Sequence, residues 1–223
     1  MKIFVDSANL GDIEAALARG FVGGVTTNPS ILAKEERRDY RDHVRDIVNL
    51  LSKWGRSIPL SVEVFTVEPD EMVGQAAEFV QEFGDYEGLT VKVPIGWEEL
   101  RVVSSLTERG VKVNATCGMS FNQAVMALNA GARYVSLFWG RIRDTGYDAA
   151  RVVGDVRAAM DRAGSHAEII VGSIRHIMDV NEAILAGAHI VTVPPPFFPK
   201  MCQHPKTDEV VGQFVSDFAK WMR

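Results

Sequence analysis

The sequence predicts a closed barrel of eight parallel strands ringed by helices, the α/β class known as the (β/α)8 or TIM barrel. Three observations predict it. Short β-type runs alternate with stretches of helical periodicity from one end of the chain to the other. Eight such runs fit within 223 residues, and α/β barrels reach about 200–250 residues as one domain. Polar residues recur near the ends of runs that are otherwise apolar, where barrel enzymes place their chemistry.

Strands are expected at residues 2–6, 22–26, 60–65, 89–93, 111–116, 134–138, 168–172 and 189–193. Between them, Val44, Ile47, Val48 and Leu51 keep helical spacing. So do Val152, Val153, Val156 and Met160, with Gly164 as a stop. Eightfold strand–helix alternation points to parallel strands joined by crossover helices. An open doubly wound sheet is the alternative, weakened because no GxGxxG follows the first run. In the last segment, residues 207–223, Thr207 is placed to cap a helix. Val210, Val211, Phe214, Phe218 and Met222 make one apolar stripe on it. Such a stripe either closes the outer ring or packs on another subunit. With no linker or low-complexity tract, residues 1–223 read as a single domain.

Composition narrows the function classes. Hydrophobic residues make up 47% and the mean hydropathy is +0.01, enough for a real core. No run approaches the roughly 18 apolar residues of a membrane span, so no membrane partner is expected. The opening MKIFVDSANL carries Asp6 and no long apolar run, unlike a signal peptide. A formal charge of −5 argues against a nucleic-acid partner. It leaves an anionic small molecule open, because the local field matters more than the net charge. Cys117 and Cys202 form no CxxC pair and read as reduced thiols of a cytoplasmic protein. His43, His166, His176, His189 and His204 include no i, i+4 pair, so no metal is expected.

Polar residues near the strand ends form the candidate site. They are Asp6; Thr26, Thr27 and Asn28; Glu63; Lys92; Asn114 and Thr116; Ser136, with Arg141 just beyond; Ser173 and Arg175; and Thr192. Lys92 is the sharpest, standing between Val91 and Val93. Lysine is almost never fully buried unless paired. A desolvated, neutral amine attacks carbonyls; the alternative is a structural ion pair with Glu63 or Asp6. Glu63 can move the protons of Schiff-base formation through a water held by Thr116, or simply balance Lys92. Asp6 can abstract a hydroxyl proton whose loss breaks a carbon–carbon bond, or it can be a capping or turn carboxylate before Ala8. Arg141, Ser173 and Arg175 suit a phosphate, and barrels often bind phosphate near the last strands. The alternative is two solvated arginines. Arg133 and Arg143 read as surface residues.

Several stretches go further. They are MKIFVDSAN at 1–9, GVTTNPS at 24–30, VKVP at 91–94, NATCGMSFNQ at 114–123, AGARYVSLFWGR at 130–141, SIR at 173–175 and HPKTD at 204–208. Over nearly the whole chain, and in order, the sequence resembles the transaldolase family, in its short transaldolase and fructose-6-phosphate aldolase-like branch. GVTTNPS is close to a hallmark of that family. The resemblance implies a Schiff-base enzyme with Lys92 as the imine former and Glu63 with Thr116 at the catalytic water. It implies Asp6 as acid–base on the ketose hydroxyl, and Thr27, Asn28, Asn114, Ser136 and Phe138 around the substrate. Arg141, Ser173 and Arg175 would bind the phosphate. A dihydroxyacetone unit would pass from sedoheptulose 7-phosphate or fructose 6-phosphate to glyceraldehyde 3-phosphate or erythrose 4-phosphate. The imine is the electron sink, so no cofactor is implied. The partners implied are sugar phosphates and further copies of the chain, in rings of five that stack into ten.

Fructose-6-phosphate aldolases usually carry glutamine in place of Glu63 and tyrosine in place of Phe138, so both residues here resemble transaldolases. The sequence departs from the family pattern at Cys117-Gly118-Met119, at Trp139 and at Ile95-Gly96-Trp97. Those departures bear on the substrate. Two other functions compete: an aldolase using free dihydroxyacetone, and a sugar-phosphate-binding protein without turnover.

Overall fold

The structure, a computed structural model, describes residues 1–55 and 57–222. Its strands are β1 (Lys2–Asp6), β2 (Val22–Thr26), β3 (Leu60–Glu63), β4 (Leu89–Pro94), β5 (Val113–Gly118), β6 (Tyr134–Phe138), β7 (Glu168–Gly172) and β8 (Ile190–Val193). They run in chain order around a closed barrel, every neighbouring pair parallel, with β8 returning to β1. The helices are α1 (Leu10–Leu17), α2 (Pro29–Leu32), α3 (Tyr40–Trp54), α4 (Pro69–Phe83), α5 (Glu99–Glu108) and α6 (Phe121–Asn129). They continue with α7 (Trp139–Asp144), α8 (Ala149–Ala163), α9 (Ile177–Leu185), α10 (Phe198–Cys202) and α11 (Pro205–Trp221). This is the (β/α)8 fold the alternation predicts.

Local chemistry moves several expected boundaries. β3 stops at Glu63 rather than at residue 65, because the Phe65 N–H leaves the sheet for Gln75 Oε1 at 2.7 Å. β5 begins at Val113 rather than at residue 111, because the Val111 N–H bonds back to the Leu106 carbonyl at 3.0 Å. β8 begins one residue later than expected, at Ile190. Thr207 does not cap the last helix. His204 does, its Nδ1 accepting the Lys206 N–H at 3.2 Å, and Pro205 takes the first helical position. Proline is favoured there because its missing N–H is one that a helix start leaves unpaired.

Two layers of core hold the barrel. Outside the strands, Val44, Ile47 and Leu51 of α3 and Val153, Val156 and Met160 of α8 are buried against the sheet. Gly164 ends α8 in the left-handed region, as a stop glycine does. Inside, Phe4, Tyr134, Ile170 and Ile190 form a separate cluster. Phe4 explains Gly24, since a Cβ there would sit 2.5 Å from its ring.

Side chains two apart on a strand share a face. Phe4, Tyr134, Ile170 and Ile190 therefore fix which residues lie above them: Asp6, Ser136, Gly172 and Thr192. Extending that parity to the other strands selects Thr26, Glu63, Lys92 and Thr116. The apolar plug is thus roofed by a polar layer at the C-terminal ends of the strands.

The last helix behaves differently. α11 has no buried residue; Phe214 is 68% exposed and Trp221 77%, with Val211, Phe218 and Met222 exposed beside them. It does not cover its own barrel. No described helix is long and apolar enough to cross a membrane.

Candidate active site

The polar layer opens into a cavity of about 570 Å³ at the C-terminal ends of the strands. Its wall includes Asp6, Asn28, Glu63, Lys92, Thr116, Ser136, Phe138, Arg141 and Ser173. Eleven of the fourteen residues singled out from the sequence meet there, Thr26 and Thr192 among them. The other three, Thr27, Asn114 and Arg175, do not line it.

Lys92 and Glu63 are register partners on β4 and β3. Lys92 Nζ donates to Glu63 Oε2 at 2.6 Å and to the Thr27 carbonyl at 2.8 Å. Lys92 is 4% exposed and Glu63 8%. The lysine's partner is Glu63, and no ion pair joins Lys92 to Asp6 among the described residues. At this distance the Glu63 carboxylate is within proton-transfer reach of the Lys92 nitrogen. The Thr27 side chain turns away to the Ser61 carbonyl at 3.1 Å, so Thr27 serves Lys92 through its backbone.

Asp6 is not a helix cap; Asn9 caps α1 by accepting the Asp12 N–H. Asp6 Oδ1 instead accepts the Thr26 hydroxyl at 2.9 Å. The Thr26 and Thr192 hydroxyls lie 2.5 Å apart. Since Thr26 gives its proton to Asp6, Thr192 donates to Thr26, and the relay fixes the carboxylate's orientation. Burial pushes the Asp6 carboxyl above its ordinary value, while the Thr26 hydrogen bond and the nearby Lys92 charge pull the other way.

Asn114 is fully buried and serves the layer below. Its Oδ1 accepts the Ser136 hydroxyl at 2.7 Å and its Nδ2 donates to Ser61 Oγ at 3.3 Å. Asn28 caps α2 through its Oδ1, at 3.0 Å from the Ile31 N–H, which leaves its amide N–H groups for another partner. Thr116 Oγ1 is buried with no protein partner among the described residues. A buried hydroxyl without a partner asks for a water or substrate atom. Cys117 beside it takes φ +60°, a region non-glycine residues seldom occupy and one that clusters at functional sites. Burial raises its thiol above the ordinary range, with the Glu63 charge adding to that.

The anion-binding candidates divide. Arg141 on α7 lines the cavity and makes no ion pair among the described residues. Ser173 lines it as well, held at φ +58°. Arg175 faces elsewhere: its fork grips Asp144 with two bonds of 2.5 Å. Neither Asp144 nor Lys34 was anticipated, and Lys34 lines the cavity on the far side, near Asp6. The sequence signal for Lys34 is faint, since it follows the GVTTNPS stretch in a polar loop. Arg143, read as a surface residue, is half exposed but reaches the buried Asp179 at 2.8 Å. Arg133 pairs with Glu168 at 2.9 Å.

The fold and this layer define a parallel barrel whose C-terminal cavity presents a buried lysine–carboxylate pair, a second carboxylate, and cations without an ion pair among the described residues. The chain matches the Transaldolase/Fructose-6-phosphate aldolase family over residues 3–222. It is 36% identical over 223 residues to a "Probable transaldolase" of Carboxydothermus hydrogenoformans, covering 100% of both chains. It is 40% identical over 220 residues to a "Probable transaldolase" of Desulforudis audaxviator, covering 99% of this chain and 98% of the other. A "Probable transaldolase 1" of Listeria monocytogenes serotype 4b is 38% identical over 218 residues, 98% of each. The chain belongs to the transaldolase/fructose-6-phosphate aldolase family, as its motifs indicated.

Proposed function

We propose that this chain is a transaldolase working through a Schiff base on Lys92. The observation that carries the reading is the buried Lys92 amine, 2.6 Å from Glu63 on the wall of a cavity that also presents Arg141. Glu63 takes the ammonium proton, and the free amine adds to the C2 carbonyl of a ketose phosphate. Glu63, with a water at Thr116, then moves the protons that turn the carbinolamine hydroxyl into leaving water. Asp6 removes the C4 hydroxyl proton. The C3–C4 bond breaks, its electron pair passes into the iminium, and an aldose phosphate leaves an enamine behind. Enamine C3 attacks the aldehyde of an incoming aldose phosphate, and Asp6 returns its proton to the new alkoxide. Hydrolysis frees Lys92.

Asn28 and Ser136 hold substrate hydroxyls, Asn114 sets Ser136, and Thr27 steers Lys92 with its carbonyl. Arg141 and Ser173 take the phosphate. Arg175 joins them only by exchanging Asp144 for substrate. Phe138 on the wall has no hydroxyl to protonate the enamine, which favours transfer over release of free dihydroxyacetone. The second reading, an aldolase, predicts that release without an acceptor. We also infer a homo-oligomer of five or ten chains, supported by the exposed apolar face of α11, and one working domain. The cytoplasm is our assigned location, where the free Cys117 and Cys202 stay reduced.

Borohydride reduction with fructose 6-phosphate, followed by peptide mass mapping, tests the reading. Added mass is expected on the Lys92 peptide. Label elsewhere, or activity persisting in Lys92→Met, would sink it.

A further inference from the structure

The anion-binding end of the cavity is assembled from two arms distant in sequence. One is α7, which carries Arg141. The other is the turn after β7, residues 173–176, which carries Ser173. Their backbones touch: the Gly140 N–H donates to the Ser173 carbonyl at 3.1 Å. A Cβ on Gly140 would lie 2.6 Å from both that oxygen and Arg175 Nε.

One buried carboxylate holds both arms. Asp179, in the first turn of α9, is 1% exposed. Its Oδ2 accepts the Arg175 N–H at 2.8 Å and the His176 N–H at 2.9 Å. Its Oδ1 accepts Arg143 Nη1 at 2.8 Å, and Arg143 lies two residues past Arg141 on α7. Glu182 stands 3.9 Å from the same Arg143 nitrogen, a looser contact. Ser173 sits in the left-handed region. Non-glycine residues persist there only where the surroundings over-determine them, and the two N–H groups Asp179 fixes follow almost directly.

We propose that Asp179, together with Arg143, is the positioning pair of the phosphate end. It sets the separation of the Ser173 hydroxyl and the Arg141 guanidinium and takes no part in the chemistry at Lys92. This rests on the phosphate reading of Arg141 and Ser173 above. A plain helix cap would explain the two backbone bonds. It would not explain why the same carboxylate reaches across to α7.

The test uses the full chain with Asp179→Asn, Arg143→Met and the double variant. Inorganic phosphate is the probe for the anion site, by calorimetry. Borohydride trapping of dihydroxyacetone, which has no phosphate, reads the chemistry. Each single variant should weaken phosphate binding about tenfold or more, since small misplacements of a binding group have effects of that order. The double variant should bind phosphate no more weakly than Asp179→Asn alone, because the arms are already uncoupled once either member of the pair is lost. Dihydroxyacetone trapping should stay at the wild-type level. Unchanged phosphate binding in both single variants would overturn the proposal, as would a matching loss of trapping, which marks a general structural role. If wild-type protein binds no phosphate while Lys92 still traps dihydroxyacetone, the phosphate reading itself fails and takes this proposal with it.

Discussion

Glu63 and Lys92 face each other directly across the β3–β4 ladder, their side chains joined at 2.6 Å with both residues buried. A buried pair is costly to split, because the survivor is left as an uncompensated charge. Lys92→Met should therefore lower stability by about 3–5 kcal/mol. Adding Glu63→Gln should restore much of that stability and none of the activity. Urea unfolding of the single and double variants measures it. A double variant no more stable than Lys92→Met would mean that the loss is one of packing.

Asp6 gives a pH dependence of known sign. Burial raises its carboxyl in the folded protein, while the unfolded value stays near ~3.9. The charged form is thus disfavoured on folding. That penalty is absent at pH below about 3.9 and complete once the pH exceeds the folded value. Asp6→Asn should gain stability relative to wild type as pH rises from about 3 to about 7. The acid limb of the wild-type rate should also lie above the ordinary carboxylate range, since the base must be ionised. Melting temperatures and kcat across pH decide it. A variant that loses ground as pH rises would reverse the assignment of Asp6.

Arg141 and Arg175 should not be equivalent. Arg141 faces the cavity without an ion-pair partner among the described residues, while Arg175 is committed to Asp144. Arg141→Ala should cost on the order of 2–5 kcal/mol with phosphorylated substrates and far less with unphosphorylated ones. Arg175→Ala should cost clearly less. KM and kcat for both substrate kinds provide the comparison. Equal losses with both kinds would put Arg141 in folding; a greater loss for Arg175 would mean that its fork leaves Asp144 for substrate.

The apolar face of α11 should be covered in solution. Contiguous exposed apolar patches of this kind mark contacts. Light scattering on the intact chain should report an oligomer. A chain ending at Pro205 should fall to a smaller species or lose solubility. A monomeric mass for the intact chain would rule the assembly out and leave the chemistry at Lys92 untouched.

Most of the barrel was legible because its signals are local. Alternation of β-branched runs with helical stripes depends on neighbours in sequence. The polar ring was legible because chemistry concentrates at strand ends. What sequence hid was direction. Thr27 and Arg175 are at the expected places, but one turns its hydroxyl to Ser61 and the other its fork to Asp144. Those partners lie 34 and 31 residues away and are decided by packing. Asp179 was invisible for the same reason, since its role depends on Arg143, 36 residues earlier. The Thr207 cap failed locally: His204-Pro205 was the stronger start, and proline at the first helical position was the signal that could have found it.

Lys34 adds to the charge of the cavity wall. With Arg141 and Lys92 it makes three cations on a wall that holds two carboxylates, Asp6 and Glu63, in a chain of net charge −5. A local excess of positive charge in an acidic chain favours anions at that wall over the rest of the surface. Such focusing acts over roughly 8 Å at physiological ionic strength. Added salt should therefore slow the capture of sugar phosphates while leaving the bond-breaking step alone. That outcome would make ionic strength a control on how often the barrel is filled, separate from how fast it turns over.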